Sequence, residues 1–173
     1  MKLEEISLME EAKKGTYAAV SLSTHAVVEL MKYIKDNDIP KWVKPSNLHT
    51  TLLYSRKHLQ DFKPRGKLKD PIIGTPTELV VWETSADDGV PPTNCLIMKF
   101  DSPALVKRHQ DLMKEHGGTF DYDEYEPHVT LSYDIGDLDI KKLPDVKKAI
   151  PTVVFDVEYG EDLMLGWANT AHE

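Results

Sequence analysis

Cysteine occurs once in the chain, as Cys95, so no intrachain disulfide forms and no cysteine-based zinc site exists. Apolar runs of bilayer length are missing as well, which argues against a membrane partner. The start, Met1-Lys2-Leu3-Glu4-Glu5, is acidic and lacks the long apolar segment of a signal peptide, so a cytoplasmic protein is expected. Positive charge is in deficit, with a formal net charge of −8. A general nucleic-acid binder needs a basic surface to displace counterions, so long nucleic acid is not an expected partner. The same deficit leaves room for a small anionic ligand in a locally positive pocket. One stretch is locally basic: Arg56, Lys57, Lys63, Arg65, Lys67 and Lys69, against Asp61 and Asp70. It reads either as a solvated loop or as a rim that draws phosphates in.

What the chain does hold is a motif written twice. Glu126-Pro127-His128-Val129-Thr130-Leu131-Ser132-Tyr133 repeats the pattern of Asn47-Leu48-His49-Thr50-Thr51-Leu52-Leu53-Tyr54. Both copies read His-x-Thr-Leu-x-Tyr. With seven histidines in the chain, a lone His-x-Thr carries little information. Two copies sharing a leucine and a tyrosine, each in a run that reads as a strand, carry much more. A strand repeats every two residues, so each histidine shares a face with the threonine two positions on. Two such strands facing each other would frame one phosphate-sized site.

The 173 residues, 40% of them hydrophobic, suit one domain or two small lobes sharing a core. Residues 3–14 read as a short surface helix. Thr16 to Leu22 alternates like a half-buried strand, with Ala18, Val20 and Leu22 on the apolar face and Tyr17, Ala19 and Ser21 on the other. Ser23 or Thr24 caps a helix that ends before Pro40. The first motif strand covers 47–54, and a basic connector about 55–76. Strands follow at Thr77 to Thr84 and Asn94 to Phe100, on either side of a loop. Asp101-Ser102-Pro103 opens a second helix that stops at Gly117-Gly118. His109 lies on its apolar stripe and reads as a packing residue. The acidic loop Asp121 to Glu126 leads into the second motif strand, and Val153 to Tyr159 is the last strand.

The repeat extends beyond the motifs. Leu22 to Val28 lines up with Phe100 to Val106, and the distance from Ala26 to His49 is 23 positions against 24 from Ala104 to His128. Each half reads strand, capped helix, loop, His-x-Thr strand. The expected fold is α+β, with duplicated lobes, each an antiparallel sheet with a helix on one face. Leu48, Leu52, Val129 and Leu131 would be buried. His49, Thr51, Leu53 and His128, Thr130, Ser132 would face a central groove. All of residues 1–173 would then form one two-lobed domain, with a lid-like tail at about 160–173.

On these residues the chain resembles the two-histidine phosphoesterase superfamily, and within it the phage anti-CBASS enzymes, which destroy the cyclic oligonucleotide signals of a bacterial immune system. The resemblance covers residues 16–159 as architecture and rests on His49, Thr51, His128 and Thr130. Tyr17 and the run Glu161 to Trp167 match positions that the family uses to hold the nucleotide. It implies a hydrolase of cyclic di- and trinucleotides such as 3′,3′-cyclic GMP–AMP, acting in the host cytoplasm. It also implies that the neighbouring 2′-hydroxyl attacks, giving a 2′,3′-cyclic phosphate that water opens.

The residue types suit that chemistry. Histidine serves as base or acid near neutral pH, and two histidines on opposite sides of one phosphorus split the roles. Threonine hydroxyls donate to the non-bridging oxygens as charge builds there. No metal is required, and two histidines lack the third ligand of a zinc site. Tyr17 either stacks under a base or is structural. Trp167 either closes over a ligand or pins the tail. Lys99 aligns with Ser21 and either faces the groove or faces solvent. Glu161, by resemblance, accepts from an exocyclic amine. In the acidic loop, Glu124 or Glu126 either faces solvent, contacts a base edge, or holds His128 protonated. Two other readings stand beside the phosphodiesterase: an RNA end-processing enzyme for 2′,3′-cyclic phosphates, and a binding protein that sequesters cyclic nucleotides.

Overall fold

The computed structural model describes residues 14–84, 89–122 and 124–164. The expected helix at 3–14 lies outside them up to residue 13, as do Trp167, Asp123 and the tail beyond residue 164. Lys14 already belongs to the first strand.

Strand β1 (Lys14–Leu22) leads into helix α1 (Thr24–Asp36). Ser23 caps that helix by accepting from the Ala26 N–H, satisfying one of the donors that a helix start leaves open. A 3-10 turn at Pro45–Asn47 precedes β2 (His49–Ser55). Strand β3 (Gly66–Glu83) runs into β4 (Asn94–Asp101), and α2 (Pro103–Glu115) is capped by Ser102 with Pro103 in its first turn. Strand β5 (His128–Ser132) follows. A 3-10 turn at Ile140–Lys142 and the short helix α3 (Val146–Ala149) then lead to β6 (Val153–Met164). Among the described residues no helix is long and apolar enough to cross a membrane.

The architecture is mixed α/β, with one open sheet in the order β2-β1-β6-β3-β4-β5, antiparallel throughout. Two separate sheets were expected. They are two ends of one sheet, because the last strand, β6, pairs with both β1 and β3. Two boundaries also move. The basic connector ends at Gly66, since β3 starts there and passes through Pro71 and Pro76. Both prolines sit at breaks in the ladder, Pro71 between the Lys67 and Ile72 pairs and Pro76 before the shift to Glu78, where a missing N–H is tolerated. Residues 160–164 belong to β6 rather than to a tail.

One core cluster joins the sheet to the helices. It contains Leu30 and Ile34 of α1, Leu105 and Leu112 of α2, Val146 of α3, and Val20, Leu52, Leu96, Val129 and Phe155 of the sheet. Gly74 lets β3 cross close to Phe100: a β-carbon there would sit 2.4 Å from Phe100 Cδ2. The two ends of the sheet meet at the motif strands. Thr50 Oγ1 donates to His128 O at 2.8 Å, joining β2 to β5 although they stand first and last in the sheet. Residues 41–43 lie along β5 through Val43 N–H to Leu131 O (2.9 Å) and Tyr133 N–H to Lys41 O (3.1 Å).

An ion pair is buried between α2 and the sheet. Arg108 donates twice to Glu158, Nε to Oε1 at 2.7 Å and a terminal nitrogen to Oε2 at 3.0 Å, and Arg65 N–H adds a third bond to Oε2. Such a pair is costly to break, because removing one partner strands the other charge. Arg108→Leu is therefore expected to destabilise the protein by about 3–5 kcal/mol, read as a lower urea midpoint with the same slope.

Candidate functional site

Both motif strands carry the same irregularity at the same residue. In β2 against β1, Thr51 pairs with Ala19 and Leu53 with Ala18, so Leu52 is an extra residue. In β5 against β4, Thr130 pairs with Ile97 and Ser132 with Leu96, so Leu131 is the extra one. The leucine shared by the two copies is thus the bulged residue in each. A bulge reverses the alternation beyond it. His49, Thr51, His128 and Thr130 keep the expected face, whereas Leu53 and Ser132, expected in the groove, are turned over and fully buried. Ser132 Oγ donates to Pro40 O at 2.6 Å.

The two histidines are held alike. His49 Nδ1 donates to Asn47 O at 2.6 Å and His128 Nδ1 to Glu126 O at 2.8 Å, each a carbonyl two residues earlier. Because a carbonyl only accepts, Nδ1 carries the proton in both neutral rings and Nε2 is left as the acceptor. Both rings are half-buried. Burial pushes the His128 pKa below the ordinary histidine value, against an opposing pull from Glu126. His49 and Lys99 lower it further by charge, so the two histidines feel each other. Glu126 thus favours the protonated form of His128, while desolvation is the larger effect.

The register sorts the remaining candidates. Tyr17 lies on the His49 side, its hydroxyl 3.0 Å from Thr51 Oγ1 and its ring 6.3 Å from that of His49. Burial raises the Tyr17 pKa, so the hydroxyl stays protonated. Glu161 pairs with Tyr17 in the β1–β6 ladder, is exposed, and its charge reaches Tyr17 and Tyr159. Lys99 pairs with His128, just as Ser21 pairs with His49, so the repeat alignment places Lys99 on the site face. Its ammonium lies 3.2 Å from Glu126 and 3.8 Å from Glu78. Glu124 is exposed. Asp121 is turned to Arg56, which forks onto it at 2.9 and 3.0 Å. That engages one cation of the basic stretch, and Lys67 is paired with Asp156.

Four aromatic residues were not picked out by sequence reasoning. Trp82 meets the His128 ring edge-on at 4.6 Å and is partly exposed. Its place in β3, opposite Cys95 of β4, puts it on the Lys99 face. The apolar run Leu79 to Trp82 hides that face, because its alternation is obscured. Tyr54 and Tyr159 flank Tyr17 at 6.3 and 6.4 Å. Tyr125 donates to Thr51 O at 2.6 Å. Among the described residues no three His, Cys, Asp or Glu side chains come together as a metal set.

Comparison with known proteins gives the family. Residues 14–170 match the family described as "Anti-CBASS protein Acb1". The chain belongs to that family. Proteins of the same name include one from Acinetobacter phage Ac42, 34% identical over 96% of this chain and 99% of that one. Another, from Enterobacteria phage T4, is 34% identical over 90% and 92%. The protein of Vibrio phage KVP40 is 36% identical over 70% of this chain and 74% of its own. The Acb1 match begins at the first residue of β1 and takes in both motif strands.

The His128 environment sets a titration. Its imidazole is expected to titrate below the ordinary value of about 6.5, as followed by two-dimensional NMR of the ring. Glu126→Gln removes a charge that favours the imidazolium, so it should move the midpoint further down. A midpoint that rises in that variant would contradict the electrostatics described.

Proposed function

We propose that this chain is a metal-independent phosphodiesterase that hydrolyses the 3′–5′ bonds of cyclic di- and trinucleotide immune signals, and so blocks CBASS defence. The observation that carries this reading is the matched pair of imidazoles. Each presents Nε2 with Nδ1 tied back to a carbonyl, on strands joined by the Thr50–His128 bond. The strand–helix–strand units at the two ends of the sheet support a duplicated lobe, as in two-histidine phosphoesterases, and the family name of the relatives supports the target.

In the first step one Nε2 takes the proton of the 2′-hydroxyl, whose oxygen attacks the adjoining phosphorus. The other histidine gives a proton to the departing 5′-oxygen, leaving a 2′,3′-cyclic phosphate. In the second step the roles exchange. Water loses a proton to the histidine that acted as acid, its oxygen attacks phosphorus, and the 2′-oxygen leaves with a proton from the other. A lowered pKa favours the unprotonated form of His128, the form that a first base needs. Thr51 and Thr130 donate to the non-bridging oxygens, and Lys99 offsets phosphate charge. Tyr17 and Trp82, one beside each histidine, offer faces for the two bases. Glu161, next to Tyr17, faces an exocyclic amine.

Incubation with 3′,3′-cyclic GMP–AMP under excess EDTA, followed by chromatography, tests the reading. Linear product is expected. Intact ligand at reduced free concentration would instead mean sequestration, and cleavage confined to RNA 2′,3′-cyclic ends would mean end processing. His49→Ala and His128→Ala should each lower kcat by about 100-fold or more. The double variant should be little worse, since the two act as a unit. Thr51→Ala and Thr130→Ala should reduce kcat more than affinity. Trp82→Ala should weaken binding by about 1–3 kcal/mol.

A further inference from the structure

The two bulges have the same form but are fastened differently. At β5 the fastening runs to the main chain of residues 40–43: Leu131 O accepts from Val43 N–H, Tyr133 N–H reaches Lys41 O, and β5's own Ser132 Oγ donates to Pro40 O. At β2, an edge strand, it is made by two side chains from elsewhere in the chain. Tyr125 Oη donates to Thr51 O at 2.6 Å, and His109 Nδ1 donates to Leu52 O at 2.7 Å. The two donors grip successive carbonyls at the bulge itself. Their rings stack on each other at 4.1 Å, 7° from parallel, and Phe120 closes the stack edge-on at 4.9 Å from His109 and 5.8 Å from Tyr125.

An apolar residue would fill the place of His109 on α2 at lower cost. A buried imidazole loses hydration and must be repaid by a bond. Here the bond goes to the residue whose placement decides where Thr51 and Leu53 point. A one-residue slip in a strand sends every side chain to the opposite face. The register at Leu52 therefore decides whether His49 and Thr51 face the site while Leu53 enters the core. Burial keeps His109 neutral, with the Nδ1 proton directed at the carbonyl. Tyr125 lies three residues before His128, so the same pair also ties the approach to the second motif strand onto the first.

We propose that His109 and Tyr125 form a positioning pair that fixes the β2 bulge and so sets the geometry of Thr51 and His49 for catalysis. The pair touches no reacting atom. This inference rests on the phosphodiesterase reading for its kinetic consequence, but its structural consequence stands apart from it. His109→Phe keeps the stack and removes the donor. His109→Asn keeps a donor near the Nδ1 position. Tyr125→Phe removes the other donor and keeps the ring.

With 3′,3′-cyclic GMP–AMP as substrate, His109→Phe and Tyr125→Phe should each lower kcat by roughly 10- to 100-fold with KM within about twofold, as expected for misplacement by a fraction of an ångström. His109→Asn should recover most of the loss. In parallel, the Thr51 and Leu53 backbone amide signals should shift in His109→Phe and return towards wild type in His109→Asn. Wild-type kcat with unmoved amide signals in both donor-less variants would overturn the inference. If the wild-type protein leaves the dinucleotide intact, the phosphodiesterase reading fails and the amide shifts alone decide the positioning pair. If His109→Phe does not fold, Tyr125→Phe decides by the same two readouts.

Discussion

A strand with one residue more than its neighbour must turn a side chain over, and this constraint shapes both halves of the site. The extra residues are Leu52 and Leu131. Before each leucine, the histidine and threonine stand on the open face. After it, Leu53 and Ser132 pass into the core. The bulge lets a short strand serve both sides of the sheet: two polar groups for chemistry, then an anchor. Without it, the alternation would carry Leu53 onto the polar face and lose its burial, a loss of about 1.5–3 kcal/mol for a leucine-sized side chain. The site and the core are thus held by the same irregularity.

The electrostatic setting is local. A chain of net charge −8 gathers anions poorly at long range. Near the histidines, Lys99 balances Glu126 and Glu78, and Arg56 balances Asp121. Carboxylates beside a phosphate site are tolerable when each is already engaged. In the proposed reaction, a substrate phosphate would compete with Glu126 and Glu78 for Lys99. Burial meanwhile disfavours the charged form of His128.

Much of this was legible in the sequence because it is local. The caps Ser23 and Ser102 sit beside the helices they start, and the apolar faces of β1 and the motif strands follow a period of two. The pairing of Ser21 with His49 and of Lys99 with His128 follows from aligning the two halves. What was not legible depends on partners far along the chain. Leu-Leu and Leu-Ser give no local sign of a bulge. Pro71 and Pro76 look like the end of a strand until β6 and β4 show the gaps they occupy. Trp82 and His128 lie two strands apart, and only the register brings them together. His109 reads as packing because helical periodicity does not reveal what its nitrogen reaches.

The placing of the last strand has a consequence for how the chain is made. Residues 153–164 are the final described stretch, yet β6 lies in the interior of the sheet, between β1 and β3. Strands β1 and β2 can pair early, and so can β3, β4 and β5, but neither group can dock on the other until β6 enters between them. On a ribosome, the first histidine strand would wait through the synthesis of about a hundred residues, exposing two unpaired edges that invite misassociation. The pairings that remain are long-range and slow to close. The two ends of the sheet, and with them the two histidines, therefore come into register only once β6 has paired with both β1 and β3.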